Sequence, residues 1–237
     1  MIPPVTEGVE EGRVGSAQSS PPAAGSARSK RHPLCRRATE FAALQKRREL
    51  SEFLWLVEEH RPRNVLEIGT CAGGTLYCLC RLAEPDGMIV SIDLPDGSFG
   101  GGCTEERVDE MRMLFPRDDQ QLHLLREDSH SSATLANVQN ILAGRQLDLL
   151  FIDGDHTYEG VKSDFEMYAP LARDGALIAF HDILKHSPKL GVGVDRYWNE
   201  IKAGYRHVEI IFPPMGWGGI GVLWKSGPAR PPPSVAS

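Results

Sequence analysis

Short apolar runs alternate with longer segments of helical spacing along most of this chain, and the alternation limits the fold more than any other feature. The runs predict strands at residues 64–68, 88–92, 122–125, 147–152, 176–180, 208–212 and 220–224. The remaining segments predict helices at residues 38–60, 73–82, 105–114, 131–143, 158–171 and 194–203. This pattern is typical of a doubly wound α/β sheet. We therefore expect one sheet of about seven strands, mostly parallel with an antiparallel last strand, and helices on both faces.

The ends of the chain differ from its centre in composition. Residues 1–33 are rich in Pro, Gly, Ser and Ala, and residues 227–237 contain three consecutive prolines. Such segments cannot bury a core, so we expect both to be disordered tails. Residues 34–226 then form one domain, which is long enough for a single α/β core. In its leading helix, the residues expected to face the core are Phe41, Leu44, Phe53, Leu54 and Val57.

Composition argues against several kinds of partner. The formal net charge is −6 and the isoelectric point is about 5.8, which disfavours a general nucleic-acid or membrane-surface role. No apolar run approaches the roughly 20 residues of a transmembrane helix, and residues 1–15 lack the apolar core of a secretory signal. Five cysteines, an odd number, fit a reduced compartment. We expect a cytoplasmic protein without a nucleic-acid or membrane partner.

Two of the predicted strands end in carboxylate and imidazole side chains. The strand at residues 147–152 leads directly into Asp153-Gly154-Asp155-His156, and the strand at 176–180 leads into His181-Asp182. The carboxyl ends of parallel strands meet at one edge of a sheet, which is where open α/β sheets bind their ligands. We therefore expect these five side chains to share one site.

A glycine-rich loop follows the first strand. Residues 67–74 read Glu-Ile-Gly-Thr-Cys-Ala-Gly-Gly, and the glycines allow the backbone to pass close to a ligand. The spacing is not the G-x-G-x-x-G of dinucleotide folds. An acidic residue, Glu67, stands just before the loop, which suits a ligand with a cationic amino group and a sulfonium rather than a phosphate. S-adenosylmethionine is such a ligand.

Acidic residues also end the next two strands. Asp93 ends the second strand, where a carboxylate can accept both ribose hydroxyls. Glu127-Asp128-Ser129 ends the third strand, where an acid can accept from the adenine amino group. Together with the glycine loop, these acids predict an S-adenosylmethionine site. The predicted cofactor-binding residues are Glu67, Gly69, Thr70, Gly73, Gly74, Asp93, Asp128, Ser129 and Asp153.

In this order, the motifs resemble the class I S-adenosylmethionine-dependent methyltransferases, which have a Rossmann-like sheet. The resemblance covers roughly residues 40–225 and rests on the glycine loop, Ile92-Asp93-Leu94 and Asp128-Ser129. Residues 98–102, 151–159 and 180–183 resemble more specifically the small-molecule O-methyltransferases of the cephalosporin hydroxylase and macrocin type. The resemblance implies methyl transfer to a hydroxyl of a natural-product or sugar-like acceptor.

The resemblance also implies roles for the residues at the fourth and fifth strand ends. Asp153 and Asp182 match the positions of divalent-metal ligands, and Asp155 matches a general base. His181 stands where the pattern has an acid, so it joins the predicted ligand set as an imidazole. Mg²⁺ prefers oxygen ligands, and an imidazole shifts the preference towards Mn, Fe, Co, Ni or Zn. His156 is a second candidate for the base, and His186 is a further candidate for base or ligand.

Structural roles compete with these assignments. Asp153 and Asp155 stand where they could cap the helix that begins near Tyr158, and His156 could be only a hydrogen-bond partner. Trp198 is expected in the core and Trp217 in the acceptor pocket. Gln45 and Lys46, in the leading helix, are expected to close over the cofactor, and Phe99–Gly102 is expected to be a mobile lid.

Two other functions are compatible with the same sheet. One is a non-catalytic protein that binds S-adenosylmethionine and acts as the partner of a biosynthetic enzyme. The other is an NAD-dependent dehydrogenase, against which the missing G-x-G-x-x-G argues. The expected partners are a small-molecule acceptor and further copies of the chain in a homo-oligomer. The acceptor pocket is built by loops, so the fold does not identify the acceptor.

Overall fold

The computed structural model describes residues 30–95, 103–117, 119–213 and 216–226. The helices are α1 (Leu34–Glu40), α2 (Arg47–His60), α3 (Gly74–Leu82), α4 (Glu105–Leu114), α5 (Ser132–Leu142), α6 (Tyr158–Tyr168) and α7 (Val194–Ile201). The strands are β1 (Asn64–Ile68), β2 (Met88–Ile92), β3 (Gln121–Leu125), β4 (Leu147–Ile152), β5 (Ala172–His181), β6 (Arg206–Ile210) and β7 (Ile220–Trp224). Short 3₁₀ turns lie at Ala169–Leu171, Pro188–Leu190 and Lys202–Gly204.

The described strands form one sheet in the order β3-β2-β1-β4-β5-β7-β6. Neighbours from β3 to β5 are parallel, and β7 is antiparallel to both β5 and β6. The predicted mostly parallel sheet with an antiparallel last strand is confirmed. The strand order reverses between β1 and β4, and such a switch point opens a crevice at the carboxyl ends of the strands. Because β7 begins beside His181, the β6–β7 connection reaches that same edge.

Two apolar cores cover the two faces of the sheet, because successive strand residues point to opposite sides. In β4, Leu149 and Phe151 face the core built with α2 and α3, and Leu150 and Ile152 face the core built with α5, α6 and α7. These residues are almost fully buried, as expected for strands covered on both faces. Trp198 is fully buried in the second core, which confirms its predicted packing role.

The predicted leading helix at residues 38–60 is wrong as a single element, because the structure divides it into α1 and α2. Ala42 has φ +54° and ends α1 in a turn, in which its amide donates to the carbonyl oxygen of Thr39. The connection at residues 41–46 instead lies against the site. Leu44, expected to face inward, is 61% exposed. Phe53, Leu54 and Val57 are buried as predicted, and Phe41 is partly buried.

Several predicted ends shift for local reasons. The helix predicted at 158–171 ends at Tyr168, since Pro170 lacks an amide hydrogen and cannot continue it. Strand β5 begins at Ala172, four residues before the predicted start, and β6 lies two residues before its predicted place. Packing reaches back to His32, which is 4% exposed and donates from its amide to the Ser51 hydroxyl.

Three predictions fall on other parts of the chain. The lid at Phe99–Gly102 and the tail at 227–237 lie outside the described residues, as does nearly all of the tail at 1–33. Within the described ranges, no helix combines the length and the apolarity that crossing a membrane requires.

Candidate active site

A cavity of about 580 Å³ opens at the carboxyl edge of the sheet. The residues at the ends of β1, β2, β4 and β5 line it, together with the segment that follows β3 and the connection between α1 and α2. The sequence-predicted residues that line it are Gly69, Thr70, Gly74, Asp93, Asp128, Ser129, Asp153, Asp155, His156, His181 and Asp182. The structure therefore brings the strand ends together at one site, as the sequence predicts.

The glycine loop fits closely against the end of β4. Gly69 has φ +95°, and a Cβ atom there would lie 2.1 Å from the carbonyl oxygen of Asp153. A side chain at this position would push β1 and β4 apart at the site. Gly73 plays a different part from the one predicted, because it does not line the cavity. It precedes α3 with φ +85° and packs against Met111 and Phe115.

Glu67 lies behind the loop rather than in the cavity. Its side chain is fully buried, and its Oε2 atom accepts a 2.6 Å hydrogen bond from the Ser91 hydroxyl, which is itself 2.6 Å from the Thr70 hydroxyl. Strand alternation explains the position, since Glu67 follows Val65 on the face that packs against α2 and α3. Burial raises the pKa of the Glu67 carboxyl well above its usual range. Glu67 reaches the cavity only through Ser91 and Thr70.

Asp93 stands at the end of β2, where the sequence places the ribose. It is 8% exposed, and its Oδ2 atom lies 3.6 Å from Nη1 of Arg126. Asp128 and Ser129 border the cavity one strand further on. Their loop is fixed by two contacts, because Oδ1 of Asp128 accepts from the His130 amide and the Tyr168 hydroxyl donates to the Ser129 carbonyl oxygen.

His130 is a site residue that the sequence reasoning missed. It lines the cavity, and its Nε2 atom lies 3.3 Å from Oδ1 of Asp164, which is fully buried in α6. The nearby Asp164 carboxylate raises the pKa of His130 to about 9, despite the opposing effect of burial. An aspartate on the inward face of the predicted helix at 158–171 was the signal that a cationic partner lay nearby.

The floor of the cavity holds a carboxylate–imidazole cluster, which comprises Asp153, His156, His181 and Asp182. Oδ1 of Asp153 lies 3.1 Å from Nδ1 of His181 and 3.2 Å from Nε2 of His156. Nδ1 of His156 is 3.6 Å from Oδ2 of Asp182, so His156 spans the two carboxylates. Asp153, His181 and Asp182 each offer a ligand atom, and these atoms lie within 4.8 Å of one another. The three residues predicted as a ligand set are thus brought together.

The cluster is electrostatically coupled. Burial alone would raise the pKa of Asp153, but His181 and His156 hold it below its ordinary value. Burial alone would lower the pKa of His181, but Asp153 and Asp182 raise it to about 9. Asp182 also has φ +62°, a conformation that costs energy for a residue with a side chain. Such a residue persists at the end of β5 only because its surroundings hold it there.

Gln45 connects this floor to the other side of the cavity. It is 8% exposed, and its Nε2 atom donates to Oδ2 of Asp153 at 2.7 Å. Its Oε1 atom accepts from the Thr75 hydroxyl at 2.9 Å, near the start of α3. Gln45 therefore borders the site as the sequence predicts.

Asp155 lines the cavity but also serves the start of α6. Its Oδ1 atom accepts from the Thr157 amide at 2.8 Å, and Thr157 in turn caps the helix by accepting from the Gly160 amide. The Asp155 carboxylate lies so close to Gly160 that a Cβ atom there would be 2.2 Å from its Cγ. This geometry matches the structural alternative for Asp155. Asp153 makes no such contact, because its oxygens face Gln45 and the two histidines.

The β6–β7 connection completes the wall beside Asp182. The Gly218 amide donates to Oδ1 of Asp182 at 3.1 Å, and Nε2 of His186 lies 3.1 Å from the same oxygen. Trp217 lines the cavity at 40% exposure, as the sequence predicts for a pocket residue. Lys46 does not line the cavity. Its Nζ atom lies 4.8 Å from the centroid of the Trp217 ring and 3.3 Å from Oε1 of Glu49.

Comparison with known proteins decides the family. Residues 66–183, which run from β1 to just beyond β5, match a family model described as a methyltransferase domain. This part of the chain is a methyltransferase domain. The match spans the glycine loop, Asp93, Asp128 and the whole carboxylate–imidazole cluster, and it supports S-adenosylmethionine rather than a dinucleotide as the cofactor.

Two proteins of known sequence are relatives of this methyltransferase domain. The uncharacterized protein y4gI of Sinorhizobium fredii is 29% identical over 156 residues, which are 63% of this chain and 16% of that protein. The uncharacterized protein R132 of Acanthamoeba polyphaga mimivirus is 29% identical over 141 residues, which are 59% of this chain and 61% of that protein. The chain therefore spans less than two thirds of the length of either relative.

A solved structure shares the fold of the methyltransferase domain. The O-methyltransferase TomG from Streptomyces achromogenes, involved in tomaymycin synthesis and solved with S-adenosylmethionine, matches with a TM-score of 0.58 at 20% identity. The match covers 84% of this chain and 92% of that chain. At this identity the likeness establishes a common architecture, and the acceptor has to be argued from the site itself.

Proposed function

We propose that this chain transfers a methyl group from S-adenosylmethionine to a hydroxyl oxygen of a small molecule, with the assistance of a divalent metal ion. The observation that carries the proposal is the carboxylate–imidazole cluster, which lies on the floor of the same cavity as the glycine loop and Asp93. A methyltransferase domain needs only to align the acceptor with the methyl group and to accept its proton. The cluster supplies groups for both tasks.

The cofactor occupies the side of the cavity that faces β1, β2 and β3 in this proposal. Asp93 accepts from the ribose hydroxyls, and Asp128 and Ser129 border the adenine. The methionine end lies over Gly69 and Thr70, where the absence of a Cβ atom at residue 69 lets the backbone approach. The sulfonium then faces Asp153 and the floor.

The residues present fit a divalent metal ion. Nδ1 of His181 faces both carboxylates, at 3.1 Å from Oδ1 of Asp153 and 3.5 Å from Oδ1 of Asp182. Two carboxylates lie within ligand-sharing distance of this imidazole, so Asp153, His181 and Asp182 would hold the ion. When bound there, the ion would lower the pKa of an acceptor hydroxyl. The imidazole favours Mn²⁺, Co²⁺, Ni²⁺ or Zn²⁺ over Mg²⁺.

His156 is the proton acceptor in this proposal. Its two ring nitrogens face Asp153 and Asp182, which places it against the floor where the acceptor hydroxyl must lie. Asp155, the base predicted from the resemblance, is engaged by the Thr157 amide and holds the turn that contains His156. We therefore assign Asp155 a positioning role.

Product formation tests the proposed function. The protein is incubated with S-adenosylmethionine carrying a labelled methyl group, MnCl₂ and a panel of hydroxyl compounds, and products are identified by mass. We expect S-adenosylhomocysteine and one methylated product to form in equal amounts, and His156→Ala to remove both. Tight binding of S-adenosylmethionine without methylation of any acceptor would favour the non-catalytic partner protein, and absence of binding would refute both functions.

A further inference from the structure

Exposed apolar side chains are concentrated around the mouth of the cavity. In the ranges that the structure describes, the exposed large hydrophobic residues are Leu44, Leu94, Met113, Leu114, Leu190 and Trp217. Four of these line the cavity, and only Met113 and Leu114, at the end of α4, do not. Scattered exposed leucines need no explanation, but a group of them at the opening of a site marks a binding surface.

With the cofactor placed as proposed above, three of the four residues lie around the part of the cavity that it leaves free. Leu94 directly follows Asp93 and therefore belongs to the ribose side. Leu44, Leu190 and Trp217 come from three separate segments, the α1–α2 connection, the 3₁₀ turn after β5 and the β6–β7 connection. Their exposed fractions are 61%, 57% and 40%. We refer to these three residues as the apolar rim.

The rim is held in place by buried contacts. Glu49 is fully buried in α2, and its two oxygens accept hydrogen bonds from the amides of Phe212 and Gly219, near the two ends of the β6–β7 connection. The Lys46 ammonium bonds to Glu49 and to the Phe212 carbonyl oxygen, and it lies against the Trp217 ring. The position of Trp217 is therefore determined by α2 as well as by its own loop.

Polar groups and apolar groups are separated within the cavity. The carboxylates and imidazoles form the floor, and His186 lies between floor and rim with Nε2 3.1 Å from Asp182. The three rim side chains offer one polar atom in total, the indole Nε1–H of Trp217. Hydroxyl groups of a bound molecule that lay against this rim would lose water without gaining partners, which is unfavourable. Apolar ring or chain surface there would be removed from water, which is favourable.

We propose that the acceptor carries its reactive hydroxyl on an apolar ring or chain, aromatic or alicyclic, and not on a sugar. The inference rests on the proposed function, and it narrows the natural-product or sugar-like acceptor that the family resemblance implies. The hydroxyl end of the molecule lies on the carboxylate–imidazole floor. The apolar body lies between Leu44, Leu190 and Trp217.

Two matched probes distinguish the classes. The first is 4-propyl-1,2-dihydroxybenzene and the second is a methyl pyranoside, which offers neighbouring hydroxyls on a polar ring. Calorimetry on protein saturated with S-adenosylhomocysteine and MnCl₂ measures binding without turnover. We expect the dihydroxybenzene to bind at least tenfold more tightly than the pyranoside. Equal or tighter binding of the pyranoside would overturn the inference.

Variants locate the effect on the rim. Trp217→Ala and Leu190→Ser should each weaken binding of the dihydroxybenzene about tenfold. Leu114→Ser should leave its binding unchanged, because Leu114 is a similarly exposed leucine outside the cavity. Binding of S-adenosylmethionine should stay the same in all three. If the rim variants bind as Leu114→Ser does, the rim does not hold the acceptor. If probes bind as expected but no methyl group is transferred, the proposed function fails and the inference about the rim stands.

Discussion

Gln45 and Asp153 are 108 positions apart in sequence, yet the Gln45 side-chain amide donates to Oδ2 of Asp153 at 2.7 Å. The same amide group accepts from Thr75 at the start of α3. One buried side chain thus joins the α1–α2 connection, the helix that follows the glycine loop, and the floor of the site. Because Gln45 engages Oδ2, Oδ1 of Asp153 is the oxygen that faces His156 and His181.

Replacing Gln45 should therefore affect chemistry more than stability. Gln45→Ala removes two hydrogen bonds, which costs about 1 kcal/mol each in the free energy of unfolding, and it frees Asp153 to rotate. We expect turnover to fall on the order of tenfold or more, because the catalytic geometry is loosened. Gln120→Ala is the matched control, since Gln120 is equally buried and bonds only to backbone groups, namely carbonyl oxygens around the end of α3 and the Arg117 amide. Equal losses of turnover in both variants would reduce Gln45 to a structural role.

Asp93→Ala should weaken the binding of S-adenosylmethionine. A charged acceptor of the ribose hydroxyls contributes about 1.5–3 kcal/mol per hydrogen bond, so we expect the dissociation constant measured by calorimetry to rise at least tenfold. Asp86→Asn serves as control, because Asp86 is an exposed partner of Arg63 far from the cavity. Unchanged affinity in Asp93→Ala would mean that the ribose lies elsewhere.

Metal binding can be measured without turnover. Equilibrium dialysis against MnCl₂, followed by elemental analysis, should find about one ion per chain, as one three-residue ligand set implies. Asp182→Asn and His181→Gln should lose it, whereas His207→Gln, an exposed histidine on β6, should retain it. Chelation should abolish turnover and leave cofactor binding largely intact. Full turnover by exhaustively chelated protein would exclude a metal-assisted reaction.

Two replacements of Asp155 separate its possible roles. Asp155→Asn keeps an oxygen that can accept from the Thr157 amide, but Asp155→Ala does not. If Asp155 positions the turn, Asp155→Asn should keep most of its turnover, and Asp155→Ala should melt at a lower temperature. His156→Ala should then lose roughly 10²–10⁴ in turnover, the usual contribution of a general base. A loss of that size in Asp155→Asn, with an unchanged melting temperature, would instead make Asp155 the base.

His130 should make stability depend on pH. The carboxylates of Asp164, Asp128 and Asp155 surround its ring, and Asp164 contributes most to raising its pKa from 6.5 to about 9. A raised pKa means that the stabilisation is present in full below about pH 6.5 and disappears as the pH rises through about 9. His130→Gln should lower the melting temperature markedly near pH 6 and little near pH 9.5, relative to the natural chain and to His207→Gln. If His130→Gln lowers the melting temperature by the same amount at both pH values, a charged His130–Asp164 pair is ruled out.

Strands were the most predictable elements. The predicted bounds of β1, β2, β4 and β7 coincide with the observed ones, because a strand buried on both faces is apolar at most of its positions. The leading helix was less predictable. The helical spacing continues through residues 41–46, and only contacts with α3 and Asp153 select the non-helical conformation there.

The part of the site that lies at the ends of strands could be predicted from the sequence. Asp153, His181 and Asp182 were placed together because parallel strands end at one edge. Glu67 was expected to touch the cofactor, but the direction of a strand side chain depends on which face its neighbours bury. Gln45 was expected near the site, but its bond to Asp153 could not be predicted, because the two residues are distant in sequence. His130 was missed, although Asp164 on the inward face of α6 indicated a cationic partner.

Because β7 is antiparallel to β5, the connection that leads into β7 differs from the connections among β1 to β5. Strands β1 to β5 present their ends to the cavity and are joined by helices, so a change in their connections disturbs the cores as well. The β6–β7 connection reaches the same edge as a loop that carries Trp217, and its two ends are bonded to Glu49 of α2. Loops of this kind tolerate insertion and replacement. Substitutions in this loop can therefore alter the proposed acceptor side of the cavity at Trp217, while the residues proposed to hold the methyl donor stay unchanged.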